Sequence, residues 1–107
     1  MKNEAIVRKM IAYIQKVLGY CEEVIYEDFE KNTLLVEACV FNLSQLGELT
    51  TKLDADFIEE HSEIPWKQMR GLRNKIVHDY EGVNLILVWE IITNDLPELL
   101  QQLETII

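Results

Sequence analysis

The chain has 107 residues, 49% hydrophobic and 27% charged, a composition that fits one globular domain and excludes a disordered or collagen-like chain. Nineteen acids against ten bases give a formal charge of −9, so a uniformly basic nucleic-acid coat is excluded and any contact with RNA or DNA must come from a local patch. No apolar run reaches the ~18 residues of a membrane span, the N-terminus lacks a signal peptide's apolar block, and Cys21 and Cys39 form no CxxC pair and read as buried thiols of a reducing compartment, so the cytoplasm is the expected location.

Apolar residues recur at three- and four-residue steps almost throughout. Ile6, Met10, Tyr13, Ile14, Val17 and Cys21 predict a helix over about 3–22. Val24 to Glu30 reads as a connector anchored by Tyr26 and Phe29. Leu34, Ala38, Phe41, Leu46, Leu49 and Leu53 give the second helical stripe, over about 31–53. Asp54 can cap a short helix, Asp56 to His61, because a side-chain oxygen before the first turn satisfies free N–H groups. Pro65 stands where a helix begins. The third long helix is predicted from about Pro65 to Asp79, with Met69, Leu72 and Ile76 inward and Gly82 at or past its end. The last runs from about Asn84 to Ile106 on Leu85, Val88, Ile92, Leu96, Leu99 and Leu103, and Pro97 should kink it or start its second half. The expected fold is all-α: a small antiparallel bundle of four long helices and one short connecting helix, in one domain over 1–107.

Charge is unevenly placed. Lys67, Arg70, Arg73 and Lys75 lie close together, His78 follows, and no acid occurs from Ile64 to His78. Ala5 to Cys21 is also free of acids, so that feature alone decides nothing. Arg73 is more telling. Its neighbours three and four residues away are Met69, Arg70, Ile76 and Val77, none an acid, so no pair within its own helix can meet its charge. It needs a distant acid such as Glu48, or an anionic ligand, and a planar fork of donors suits phosphate. His78 titrates near neutrality and can carry a proton in either direction. Asn74 shares its helical face, whereas Arg73 is offset from it by about 140° on an ideal helix. The two converge on one ligand only near a helix end or across a second chain. His61, among Glu59, Glu60 and Glu63, reads as a surface residue. Two histidines 17 apart and scattered carboxylates lack metal-ligand spacing, and Gly71 and Gly82 stand alone, with no phosphate-cradling loop.

The segment Arg73-Asn74-Lys75-Ile76-Val77-His78-Asp79-Tyr80 has the pattern Arg, four residues, His, one residue, Tyr. With it stand Leu46-Gly47-Glu48, Ile64-Pro65-Trp66 leading to Met69, Val88-Trp89 and Asp95-Leu96-Pro97-Glu98-Leu99. Together, over about residues 5–103, they resemble the HEPN superfamily in its HepT-like toxin branch. Leu49 departs from that pattern, which has Ala after Gly-Glu. The resemblance implies a metal-independent ribonuclease without cofactor, the toxin of a toxin–antitoxin pair, acting as a homodimer whose motifs meet at a cleft. It implies Arg73 and His78 as the catalytic pair. Tyr80 would receive AMP groups from a partner nucleotidyltransferase antitoxin. Asn74, Asp79 and Glu48 would support, and Lys67, Arg70 and Lys75 would hold RNA.

Elementary chemistry bears on the dimer separately. Cleaving RNA without metal needs a base for the 2′-hydroxyl, an acid for the leaving oxygen and a cation for the charge growing at phosphorus. One chain offers His78 for a single proton step and Arg73 for charge; two chains supply the missing group. The competing reading is a non-catalytic nucleotide- or RNA-binding bundle that partners a nucleotidyltransferase, or a helical adaptor with no ligand.

Overall fold

A computed structural model describes residues 2–81 and 84–107, the side chains of 77–81 excepted. Among the described residues every regular element is helical. Helix α1, Lys2–Tyr20, buries Ile6, Val7, Met10, Ile11, Ile14 and Val17 against α3, Thr33–Thr50, and α8, Leu96–Thr105. It ends in a turn where Val24 N–H donates to the Cys21 carbonyl at 3.0 Å and Glu23 takes the left-handed conformation, φ 61°. The no-span expectation holds for the described residues: no helix among them is long and apolar enough to cross a membrane.

Between α1 and α3 the expected connector is itself a short helix, α2, Tyr26–Lys31. Six residues are too few for a periodicity to register, but Glu27 and Asp28 in its first turn and Lys31 in its last suit the helix dipole. The two expected anchors do hold it. Phe29 is fully buried, with its ring 4.7 Å from that of Trp89 on α7, Leu85–Glu90, and Tyr26 lies 6.2 Å from the same ring. Asn32 then caps α3 by accepting from Leu35 N–H at 3.0 Å.

The predicted stripe of α3 mixes two faces. Leu34 is 79% exposed and Phe41 59% exposed; the inward row is Val36, Cys39, Leu43, Leu46, Gly47 and Thr50. Apolar residues occur around most of this helix, so periodicity alone does not say which face turns in. Leu49, the departure from the family pattern, packs half-buried against the core.

Helix α4, Ala55–Glu60, starts after Asp54, but the Asp54 side chain makes no capping bond. It receives Lys2 Nζ at 3.4 Å and Asn3 Nδ2 at 3.2 Å, while Asp54 N–H donates to Asn3 Oδ1, so it ties α4 to the start of α1. His61 ends α4 half-buried, not free on the surface: its ring lies 4.6 Å from Phe57 and its carbonyl accepts from Trp66 Nε1 at 2.9 Å.

The third predicted helix is divided at Gly71 into α5, Trp66–Arg70, and α6, Leu72–Glu81, with Pro65 capping the first. Gly71 has ψ −6°, and glycine is the weakest non-proline helix former. Backbone bonds from Gly71 N–H to Lys67 O and from Lys75 N–H to Gly71 O carry across the joint. Met69, Leu72 and Ile76 face inward as expected. The stop expected at Gly82 lies outside the described residues. In the last segment a π turn, Ile91–Asp95, joins α7 to α8, and Pro97 sits in the first turn of α8. Pro97 has no N–H for the Thr93 carbonyl and its ring crowds that oxygen; widening the preceding turn relieves both. The bundle is thus α1, α3 and two interrupted segments, with two short connecting helices where one was expected.

Candidate active site

Gly47 governs how α6 lies on α3. A Cβ there would stand 3.0 Å from the Met69 carbonyl oxygen and 3.3 Å from Arg73 N, so only glycine permits this approach of backbones. The close approach sets Arg73 beside the next residue of α3. Arg73 Nη1 lies 3.5 Å from Glu48 Oε2, the distant acid expected from the sequence. Both side chains are largely exposed, 63% and 48%, and among the described residues this long contact is the one ion pair Arg73 makes, which does not use the whole guanidinium. In water such a pair is worth at most about 1 kcal/mol. Its effect is to aim a charge more than to hold the fold.

Asn74 and Lys75, next on α6, are exposed. Lys67 and Arg70 are exposed on α5 but sit toward α4: Arg70 lines a cleft with Thr51, Ala55 and Glu59, and Lys67 one with Glu59 and Glu63. The basic residues therefore spread over two sides of the Gly71 joint. His78, Asp79 and Tyr80 fall on the backbone of α6, and their side chains lie outside the described residues. A separate cavity of about 410 Å³ lies between α5 and α8, with Met69, Leu72, Leu96 and Leu99 at its floor and Glu63, Asp95 and Glu98 among its lining; Arg73 does not line it.

Sequence reasoning missed the outward row of α3. Leu34, Phe41 and Glu48 stand seven residues apart, which on an ideal helix keeps them within about 40° of one line. Leu34, half-buried Ala38 and Phe41 therefore form an exposed apolar patch on the face of α3 that carries Glu48, with Ser44 and Gln45 between Phe41 and the Glu48–Arg73 pair. The signal was the wrap-around apolar content of α3.

Residues 10–106 match the family described as "Ribonuclease HepT-like". The protein named "Putative RNase TTE0752" of Caldanaerobacter subterraneus subsp. tengcongensis is 38% identical over 102 residues, 89% of this chain and 91% of its own. "Putative RNase MJ0125" of Methanocaldococcus jannaschii is 30% identical over 97% of this chain and 90% of its own. "Probable ribonuclease HepT" of Thermococcus cleftensis is 31% identical over 80% of this chain and 78% of its own. No solved structure matches significantly.

Proposed function

The chain belongs to the HepT-like ribonuclease family, and from that membership we propose that it is a metal-independent endoribonuclease, the toxin of a toxin–antitoxin pair. The observation that carries the reading is the exposed Arg73 guanidinium, aimed by Glu48 across the Gly47 contact, on the one helix whose sequence bears the Arg-x4-His-x-Tyr motif.

Arg73 binds the scissile phosphate and offsets the charge that grows on it. His78 of one protomer takes the 2′-hydroxyl proton, and the freed 2′ oxygen attacks phosphorus. His78 of the second protomer protonates the departing 5′ oxygen. The products are a 2′,3′-cyclic phosphate and a 5′-hydroxyl. The patch of Leu34 and Phe41 supports the homodimer this requires, because it offers apolar area for a second copy on the same face of α3 as Glu48. Asn74 and Asp79 flank the pair. Lys67, Arg70 and Lys75 extend the positive surface along the RNA backbone. A nucleotidyltransferase antitoxin silences the site by moving AMP from ATP onto the Tyr80 hydroxyl: the phenolic oxygen, losing its proton, attacks the α-phosphorus and pyrophosphate leaves; the new phosphodiester brings a negative charge to Arg73 and takes the substrate phosphate's place.

The test is cleavage of a mixed RNA ladder by purified protein in excess chelator, with product ends identified. Wild type should cut and leave cyclic phosphates, and both Arg73→Ala and His78→Ala should lose at least about 100-fold in rate. Binding without cutting supports the binding-module reading instead, and equal cutting by wild type and His78→Ala exposes a contaminant and removes the proposal.

A further inference from the structure

The interface between α1 and α3 holds two thiols the ribonuclease reading does not use. Cys21 Sγ and Cys39 Sγ lie 3.6 Å apart, close enough to share a proton and with no side chain between them. Both are free thiols. Their surroundings differ: Cys39, in the inward row of α3, has no exposed surface, whereas Cys21, at the turn that ends α1, keeps 9% of its own. Cys21 thus lies at the edge of the core and Cys39 inside it.

We propose that Cys21 and Cys39 form a two-thiol oxidation site, in which a hydroperoxide oxidises Cys21 and Cys39 then closes an intrachain disulfide between α1 and α3. The Cys21 thiolate attacks the outer peroxide oxygen; the O–O bond breaks, the alcohol or water leaves with a proton, and Cys21 becomes a sulfenic acid. Cys39 sulfur then attacks the Cys21 sulfur. The S–O bond breaks, hydroxide takes up the Cys39 proton and leaves as water, and the S–S bond forms. Over both steps the two thiols lose two electrons and the hydroperoxide gains them. The hydrogen bond supports this division of labour. In this contact a proton on one sulfur supports a thiolate on the other; the Cys21 thiol titrates below its ordinary value because of it, and the same contact with burial pushes Cys39 above its own. The sulfurs need only close to bonding distance. The link would fasten the end of α1, where the backbone carries the left-handed Glu23, to the middle of α3, and so raise the melting temperature of the oxidised chain.

The experiment treats the native full-length protein with hydrogen peroxide, blocks remaining thiols and reads the mass of the intact chain and its peptides. Wild type should lose two hydrogens, yield the Cys21 and Cys39 peptides joined, melt higher than the reduced chain and return to its starting mass with dithiothreitol. In Cys39→Ser, Cys21 should stop as a sulfenic acid and take up dimedone, about tenfold faster than Cys39 does in Cys21→Ser. Wild type that keeps both thiols, or that links only between chains, overturns the proposal, and so does equal dimedone uptake at the two positions. The wild-type result stands whether or not either variant folds.

Discussion

Arg73 has no acid within a helical turn of itself, and its charge is met from a neighbouring helix. This was legible in the sequence, because i±3 and i±4 spacing decides which side chains can meet on one helix. Which distant acid answers depends on where backbones approach, and Gly47 beside Glu48 fixes that. We predict that Glu48→Gln separates two effects. Removing a negative charge beside Arg73 should lower the KM for RNA, while the loosened guanidinium should lower kcat by about tenfold. Stability should move by less than about 1 kcal/mol in urea titration, the pair being exposed. Glu23 offers a second single-residue test. It is a non-glycine residue at φ 61°, so Glu23→Gly should stabilise the fold by about 1 kcal/mol, read as a higher urea midpoint. His61 was misread because its acidic sequence neighbours say nothing of Phe57 beneath its ring.

Helices that carry their own periodicity were read correctly: α1, α6 and α8 turn inward the residues their spacing assigns, except Tyr13, which stays half-buried outside the core under Lys16. The errors fall where tertiary geometry overrides local pattern. Helix α2 is too short to show a period and owes its place to Phe29 against Trp89. The break at Gly71 arises from a backbone preference that apolar spacing does not record, whereas Pro97 starts the second half of the last segment, one of the two outcomes its position predicts. Two glycines inside helices give a paired test at this scale. At Gly19 in α1 an added methyl would meet nothing within 4 Å, so Gly19→Ala should stabilise by about 0.5–1 kcal/mol through helix propensity. Gly47→Ala gains the same propensity but drives its methyl into the Met69 carbonyl at 3.0 Å, and should destabilise by about 1–3 kcal/mol net. It should also displace Arg73 and slow cleavage. Urea titration of both variants, with RNA assays alongside, checks the opposite signs.

Across the molecule, a formal charge of −9 on an envelope of 41 × 26 × 19 Å opposes RNA binding, and the proposed site sets Lys67, Arg70, Arg73 and Lys75 against that field. Affinity should therefore fall steeply with salt, and each Lys or Arg to Ala change among them should cut the log–log slope by about 1 if its side chain meets a phosphate. The outward stripe of α3 is where the proposed homodimer would join. Phe41→Asp should leave the helical circular dichroism intact, since the ring is 59% exposed, yet give a monomer by analytical ultracentrifugation and abolish cleavage. This surface escaped the sequence reading because α3 has apolar residues on both sides, and burial of one side is visible only once α1 and α6 are in place. In the proposed homodimer, contact through the exposed Leu34 and Phe41 would make dosage a control in its own right. Below the concentration at which half the chains are paired, the number of complete catalytic centres would grow as the square of chain abundance. A twofold rise in synthesis would then yield close to four times the cutting.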